Sequence, residues 1–159
     1  MRQIKDLIKK LLHVEDTPER TALAYSIGIF LGFSPFLGFH TLMGLAVAFL
    51  FHLNRVAILL GVWSNTPWWI LPFYTMATGL GMWVTGFRVE NSNVKAMLQV
   101  GLDHGFLSSD FWSQGGAQWS ILLSFLVGSQ ILATLLGLIA YPLSLRWIRF
   151  YRSHGKAKS

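Results

Sequence analysis

Apolar positions follow two rhythms along this chain. Over the opening residues Ile4, Leu7, Ile8, Leu11 and Leu12 recur at helical spacing, with Arg2, Lys5, Lys9 and Lys10 on the remaining faces. That pattern predicts an amphipathic surface helix over 1–16, suited to an anionic cytoplasmic leaflet or to packing on the protein itself. Beyond it the alternation gives way to uncharged runs over 21–54, 56–87 and 111–145. A spanning helix takes about 20 apolar residues, so each run exceeds one straight crossing.

The first two runs are interrupted. Thr17-Pro18-Glu19 is a helix start, with Thr17 as N-cap, Pro18 at the first helical position and an acid favourable to the dipole. Ser34 to Thr41 then forms a break, because Pro35 removes a backbone donor and Gly38 permits turn conformations. A helix resumes over Phe39 to Leu53, stops at Asn54-Arg55, and is followed by a segment from Val56 to Ser64 too short to span. Asn65-Thr66-Pro67 ends that segment, Pro67 starts the next helix, and Pro72 is read as a further break. Residues 17–87 are thus a core membrane domain with two interrupted apolar segments. Such pairs mark binding regions in some transporters, where broken backbone lines a cavity.

Residues 88–119 read as an extramembrane polar loop, 120–145 as a transmembrane helix and 146–159 as a basic cytoplasmic tail, the whole forming one domain. Ala24, Gly28 and Gly32 recur every fourth residue, as do Ser129, Ala133 and Gly137. These stripes predict close helix packing, with the second as mate of the first, or contacts of a homo-oligomer. Basic residues at both ends place both termini in the cytoplasm.

Composition agrees with a membrane protein. Charged residues make up 13% of the chain and apolar ones 53%, where soluble domains carry about 25% charge. The seven tryptophans suit membrane interfaces. There is no cysteine, which removes disulfide and thiolate chemistry, and the first apolar run begins too late for a cleavable secretory signal. The five histidines show no ligand spacing, so no metal and no cofactor is expected. No phosphate loop, dinucleotide fingerprint or nucleophile elbow occurs, and the expectation is a protein that is not an enzyme. The formal charge of +6 is spread over residues flanking apolar runs, which points to membrane lipids and not to nucleic acid.

Arg55 is the sharpest site candidate, the sole formal charge between Arg20 and Arg88. A cation at membrane depth faces the protein interior, water or a partner, or snorkels to the surface. Its planar fork suits a phosphate, and His40, Thr41, Asn65 and Tyr74 are candidates to add hydrogen bonds. Each also has a local role open to it: Thr41 and Asn65 as caps, His40 as a buried imidazole, Tyr74 as an interface ring.

Ala22, Gly28, Phe30, Gly32, Phe33, Pro35, Gly38, His40-Thr41, Asn54-Arg55, Ala57, Asn65, Pro67, Pro72, Tyr74 and Gly79 together resemble the bacterial membrane family known as domain of unknown function 2062. The resemblance covers Thr17 to about Gly81, and the final apolar helix by position. Here Thr66 separates an Asn and a Pro that are often adjacent in that family. The resemblance implies a small multi-pass protein of the bacterial inner membrane, and the same domain also occurs joined to glycosyltransferase modules.

The expected fold is therefore an all-α integral membrane protein of broken or re-entrant helical hairpins plus spanning helices. Two functions are open. One is a carrier or flippase for an anionic, phosphate-bearing lipid or lipid-linked saccharide; the other is a non-catalytic adaptor for a cell-envelope glycosyltransferase.

Overall fold

The computed structural model describes residues 16–36, 38–65, 67–87 and 116–155. Every regular element among them is an α-helix: α1 (Pro18–Phe33), α2 (His40–Leu50), α3 (Arg55–Val62), α4 (Pro67–Thr85) and α5 (Gly116–Gly155). The amphipathic segment over 1–15 and the polar segment over 88–115 lie outside the described residues.

Local chemistry sets the helix ends. Thr17 Oγ1 accepts from the Arg20 amide at 3.3 Å, and Pro18 occupies the first turn. Ser34 closes α1 in extended geometry, its amide and its hydroxyl both donating to Leu31 O, and Pro35 prevents continuation. Gly38 takes a φ of 89°, open to glycine, and its amide donates to His40 Nδ1 at 3.2 Å. At the far end of α2 the Leu53 amide reaches back to Ala48 O while His52 sits at φ 51°, a Schellman-type close on a residue other than glycine. Asn54 then caps α3, its Oδ1 accepting from the Val56 and Ala57 amides at 3.1 Å each.

The chain groups into two compact units, residues 1–66 with 133–159, and residues 67–132. In the first, α1, α2 and α3 pack around Ala24, Ala48, Leu53, Ala57 and Ile58, with Tyr25, Ile27 and Val47 over them. The helices approach closely where side chains are missing. A Cβ on Gly28 would strike Ile58 O, one on Gly32 would strike Val62 O, and one on Gly61 would strike Tyr25 O. The stripe beginning at Ala24 therefore has α3 as its mate, a correction to the expected pairing with Ser129, Ala133 and Gly137. Gly61, not part of either stripe, supplies the second missing side chain. Gly137 does face α1, against Phe30 Cβ at 3.2 Å and Ser26 O at 3.3 Å. Ser129 and Ala133 are both fully buried.

In the second unit α4 and the first half of α5 form an antiparallel pair. A Cβ on Gly81 would strike Ser124 O, one on Gly128 would strike Ala77 O, and the Thr85 and Ser124 hydroxyls are 3.3 Å apart. Tyr74 meets Phe125 edge to face, with ring centroids 5.0 Å apart.

Two further expectations are corrected. Pro72 is no break: α4 runs through it, since a mid-helix proline forfeits the bond to a single carbonyl, that of Trp68. Residues 146–155 do not form a separate tail, because α5 continues to Gly155, with Pro142 likewise inside it. Within α5, residues 119–153 are long and apolar enough to cross a membrane, the single such stretch among the described residues. At 1.5 Å per residue α1, α2 and α3 are about 24, 16 and 12 Å long, short of an apolar layer about 30 Å thick.

Candidate functional site

Every formal charge among the described residues sits at one end of the first unit. Asp16, Glu19 and Arg20 begin α1, Arg55 begins α3, and Arg146, Arg149 and Arg152 lie in the last turns of α5. Arg149 donates to Glu19 Oε1 at 2.7 Å, Arg152 donates to Asp16 O at 3.0 Å, and Arg20 Nε is 3.3 Å from Asp16 Oδ1. Arg20 also donates through Nη2 to His52 O at 2.9 Å and to Phe51 O at 3.4 Å, satisfying carbonyls left open where α2 ends. The Glu19 carboxyl is held below its ordinary pKa, first by the Arg149 hydrogen bond, then by its backbone.

Five arginines therefore face two carboxylates, and the excess is positive. Arg55 carries its guanidinium 4.1 Å above the Phe49 ring, and neither it nor Arg146 has an acidic partner among the described residues. Both are exposed. The amides at the start of α3 are not open to an anion, since Asn54 already occupies two of them.

The opposite end of this unit is uncharged and closed. Ser34 is 1% exposed. Asn65 Nδ2 donates to Gly32 O at 2.8 Å, and the Tyr25 and Ser64 hydroxyls are 3.3 Å apart, so the break after α1 is fastened to the break after α3. Asn65 Oδ1 is buried and has no hydrogen-bond partner among the described residues.

This geometry disperses the residues singled out from sequence. Arg55 begins α3 and Asn65 follows its far end, more than the helix's own length of about 12 Å away. His40 and Thr41 begin α2, while Arg55 lies just beyond its other end. A single phosphate is thus not encircled by Arg55, His40, Thr41 and Asn65. Tyr74 belongs to the second unit, between Phe73 and Phe125. Arg20, which sequence reading left as a flank, is the cation most engaged with neighbouring backbone. No spacing signal links it to residues 51 and 52, because that contact is tertiary.

Two open grooves lie along α1. One, of about 390 Å³, runs against α5 between Phe30 and Tyr141; the other, of about 460 Å³, runs against α2 between Arg20 and Leu53. Among the described residues no group of three or more His, Cys, Asp or Glu is placed to hold a metal ion.

Over the described residues these features define an all-helical chain with one membrane-length apolar helix and a cationic end. Over residues 1–156 the chain matches the family described as "Uncharacterized protein conserved in bacteria (DUF2062)", and it belongs to that family, as the residues from Ala22 to Gly79 suggested. No curated protein and no solved structure matches it.

Proposed function

We propose that this is a multi-pass protein of the bacterial inner membrane, with the charged end of its first unit on the cytoplasmic side, and that it is a carrier for an anionic, phosphate-bearing lipid or lipid-linked saccharide. The observation that carries the reading is the gathering of all described charge at one end, in excess arginine, with Arg55 and Arg146 exposed and without acidic partners among the described residues. Described helices without charge beyond a cationic rim suit an apolar layer bordered by anionic headgroups. Aromatic placement supports the membrane reading in each unit taken by itself. In the second unit Trp68 and Trp69 stand at one end of α4 and Trp83 at the other, exposed and separated by about 22 Å along the helix, as rings at two interfaces would be. Trp147 and Tyr151 are exposed among the arginines of α5.

The test is transbilayer movement of fluorescent phosphatidylglycerol and phosphatidylcholine in vesicles carrying the full chain. The expected result is accelerated movement of the anionic lipid, reduced about tenfold by Arg55→Ala and less by Arg55→Lys, as a loss near 1.4 kcal/mol would give. Vesicles with the protein behaving like protein-free vesicles would overturn the carrier reading.

One observation favours a second function, that of a non-catalytic adaptor for a cell-envelope glycosyltransferase. The joint of Ser34, buried, with the Asn65 to Gly32 hydrogen bond is closed among the described residues, as suits a static scaffold. This reading expects an intact complex with such an enzyme under gentle extraction, and a loss of that enzyme's activity without the protein.

A further inference from the structure

The two grooves flank one ridge. Leu23 and Ile27, one helical turn apart on α1, border both of them. On one side the wall is α5 at Gly137, Leu138 and Tyr141; on the other it is α2 at Val47, with Phe51 toward the charged end. Their volumes fall in the range of ordinary ligand sites, and their walls are almost wholly apolar. Arg20 closes the α2 groove at the charged end, and on the α5 side the Glu19–Arg149 pair lies one turn of α1 beyond Leu23.

Two apolar channels separated by the width of one side-chain row, the α2 channel closed by Arg20 and both bordered by Leu23 next to the charged start of α1, match two acyl chains joined to one anionic headgroup. A single-chain ligand would use one groove and leave the other unexplained. We propose that the first unit seats a two-chain anionic phospholipid astride Leu23 and Ile27, one acyl chain in each groove and the phosphate at the Arg20 end. The inference rests on the lipid reading above and specifies the ligand class and its seat. The excess positive charge selects against a zwitterionic headgroup, whose own cation would meet the arginines.

The experiment uses the full chain in phosphatidylcholine vesicles containing a small fraction of phosphatidylglycerol with a photoreactive diazirine in the first few carbons of each acyl chain, near the glycerol, and, separately, phosphatidylcholine with the same chains. Crosslinked peptides are identified by mass spectrometry. The expected result is labelling from the anionic probe in both walls, near Leu138 to Tyr141 and near Val47 to Phe51, competed by unlabelled phosphatidylglycerol and not by phosphatidylcholine. Ile27→Trp should lower labelling in both walls about tenfold, as loss of roughly 1.4 kcal/mol implies. Leu138→Trp, at an exposed position, should lower it in the α5 wall alone and keeps the test decisive should Ile27→Trp not fold. Equal labelling by both headgroups, or labelling of one wall only, overturns the proposal. Movement of lipid is measured on the same vesicles. Anionic-selective labelling of both walls without movement would end the carrier reading and leave this seat standing, whereas movement with unselective labelling would end the seat alone.

Discussion

Gly28 and Gly61 face each other where α1 crosses α3, so closely that a Cβ built on Gly61 would lie 2.8 Å from Gly28 Cα and one on Gly28 would lie 2.9 Å from Gly61 Cα. Backbone meets backbone there, and nothing flexible is present to yield. Gly28→Ala or Gly61→Ala should destabilise by about 1–3 kcal/mol or more through overpacking. Gly79 is the internal control: exposed, helical and with open space around its Cβ position, it should accept alanine with a gain of about 0.5–1 kcal/mol. Denaturant titration in detergent, followed by helical circular dichroism, measures both. Equal behaviour of the Gly28 and Gly79 variants would refute the crossing.

His52 holds a left-handed conformation at the close of α2, with φ 51°. Such a backbone costs a residue with a Cβ about 1–2 kcal/mol and glycine almost nothing. His52→Gly should therefore raise stability by about 0.5–1 kcal/mol, and His52→Val should lower it by about 1 kcal/mol, because branching at Cβ fits that region worst. Thermal unfolding of the two variants side by side checks the sign of each shift.

Asn54 is buried and satisfies two amides that α3 cannot satisfy itself. Asn54→Ala should cost about 1–2 kcal/mol, with Asn54→Asp retaining most of the cap. Hydrogen exchange should show the loss first at Val56 and Ala57; unchanged protection at those two amides in Asn54→Ala would contradict the cap.

Glu19 and Arg149 tie the start of α1 to the last turns of α5 across 130 positions of sequence. The folded pKa of Glu19 is lowered, so the pair contributes in full above the ordinary value of 4.5 and that contribution disappears as pH falls through the lowered folded value. Acid should loosen this contact over that window, and neutral to mildly alkaline pH should leave it unchanged. Glu19→Gln should remove that component of the acid dependence. Both groups are solvent-exposed, so the effect is small, and it is best read as hydrogen exchange at the first turn of α1 against pH.

The helical content and the first break were legible from sequence because their causes are local. Thr17, Pro18, Ser34, Pro35 and Gly38 act on backbone within a few residues, and the structure starts and stops α1 where they stand. Pro72 misled for a related reason: proline disfavours a helix interior, but its cost is a local one, the lost bond to the Trp68 carbonyl and the ring's crowding of it, and the rest of α4 outweighs it. The mate of the Ala24 stripe was not legible, because a run of small residues states that another backbone approaches and does not say which one. The candidate site divides in the same way. Arg55 stood out as a lone cation, while its distance from Asn65 follows from the direction of α3, and the capping of α2 by Arg20 joins residues more than thirty positions apart.

By itself, then, the sequence determined that the chain is helical, largely apolar, charged at its flanks and a member of a bacterial family, since composition, periodicity and capping are properties of short stretches. Only the tertiary structure decided that the described charges share one end, that Gly28 rests on Gly61, that the two breaks are fastened together, and that Leu23 and Ile27 divide two grooves. Those are outcomes of packing, where direction and depth of each helix depend on every neighbour at once, and no local pattern carries them.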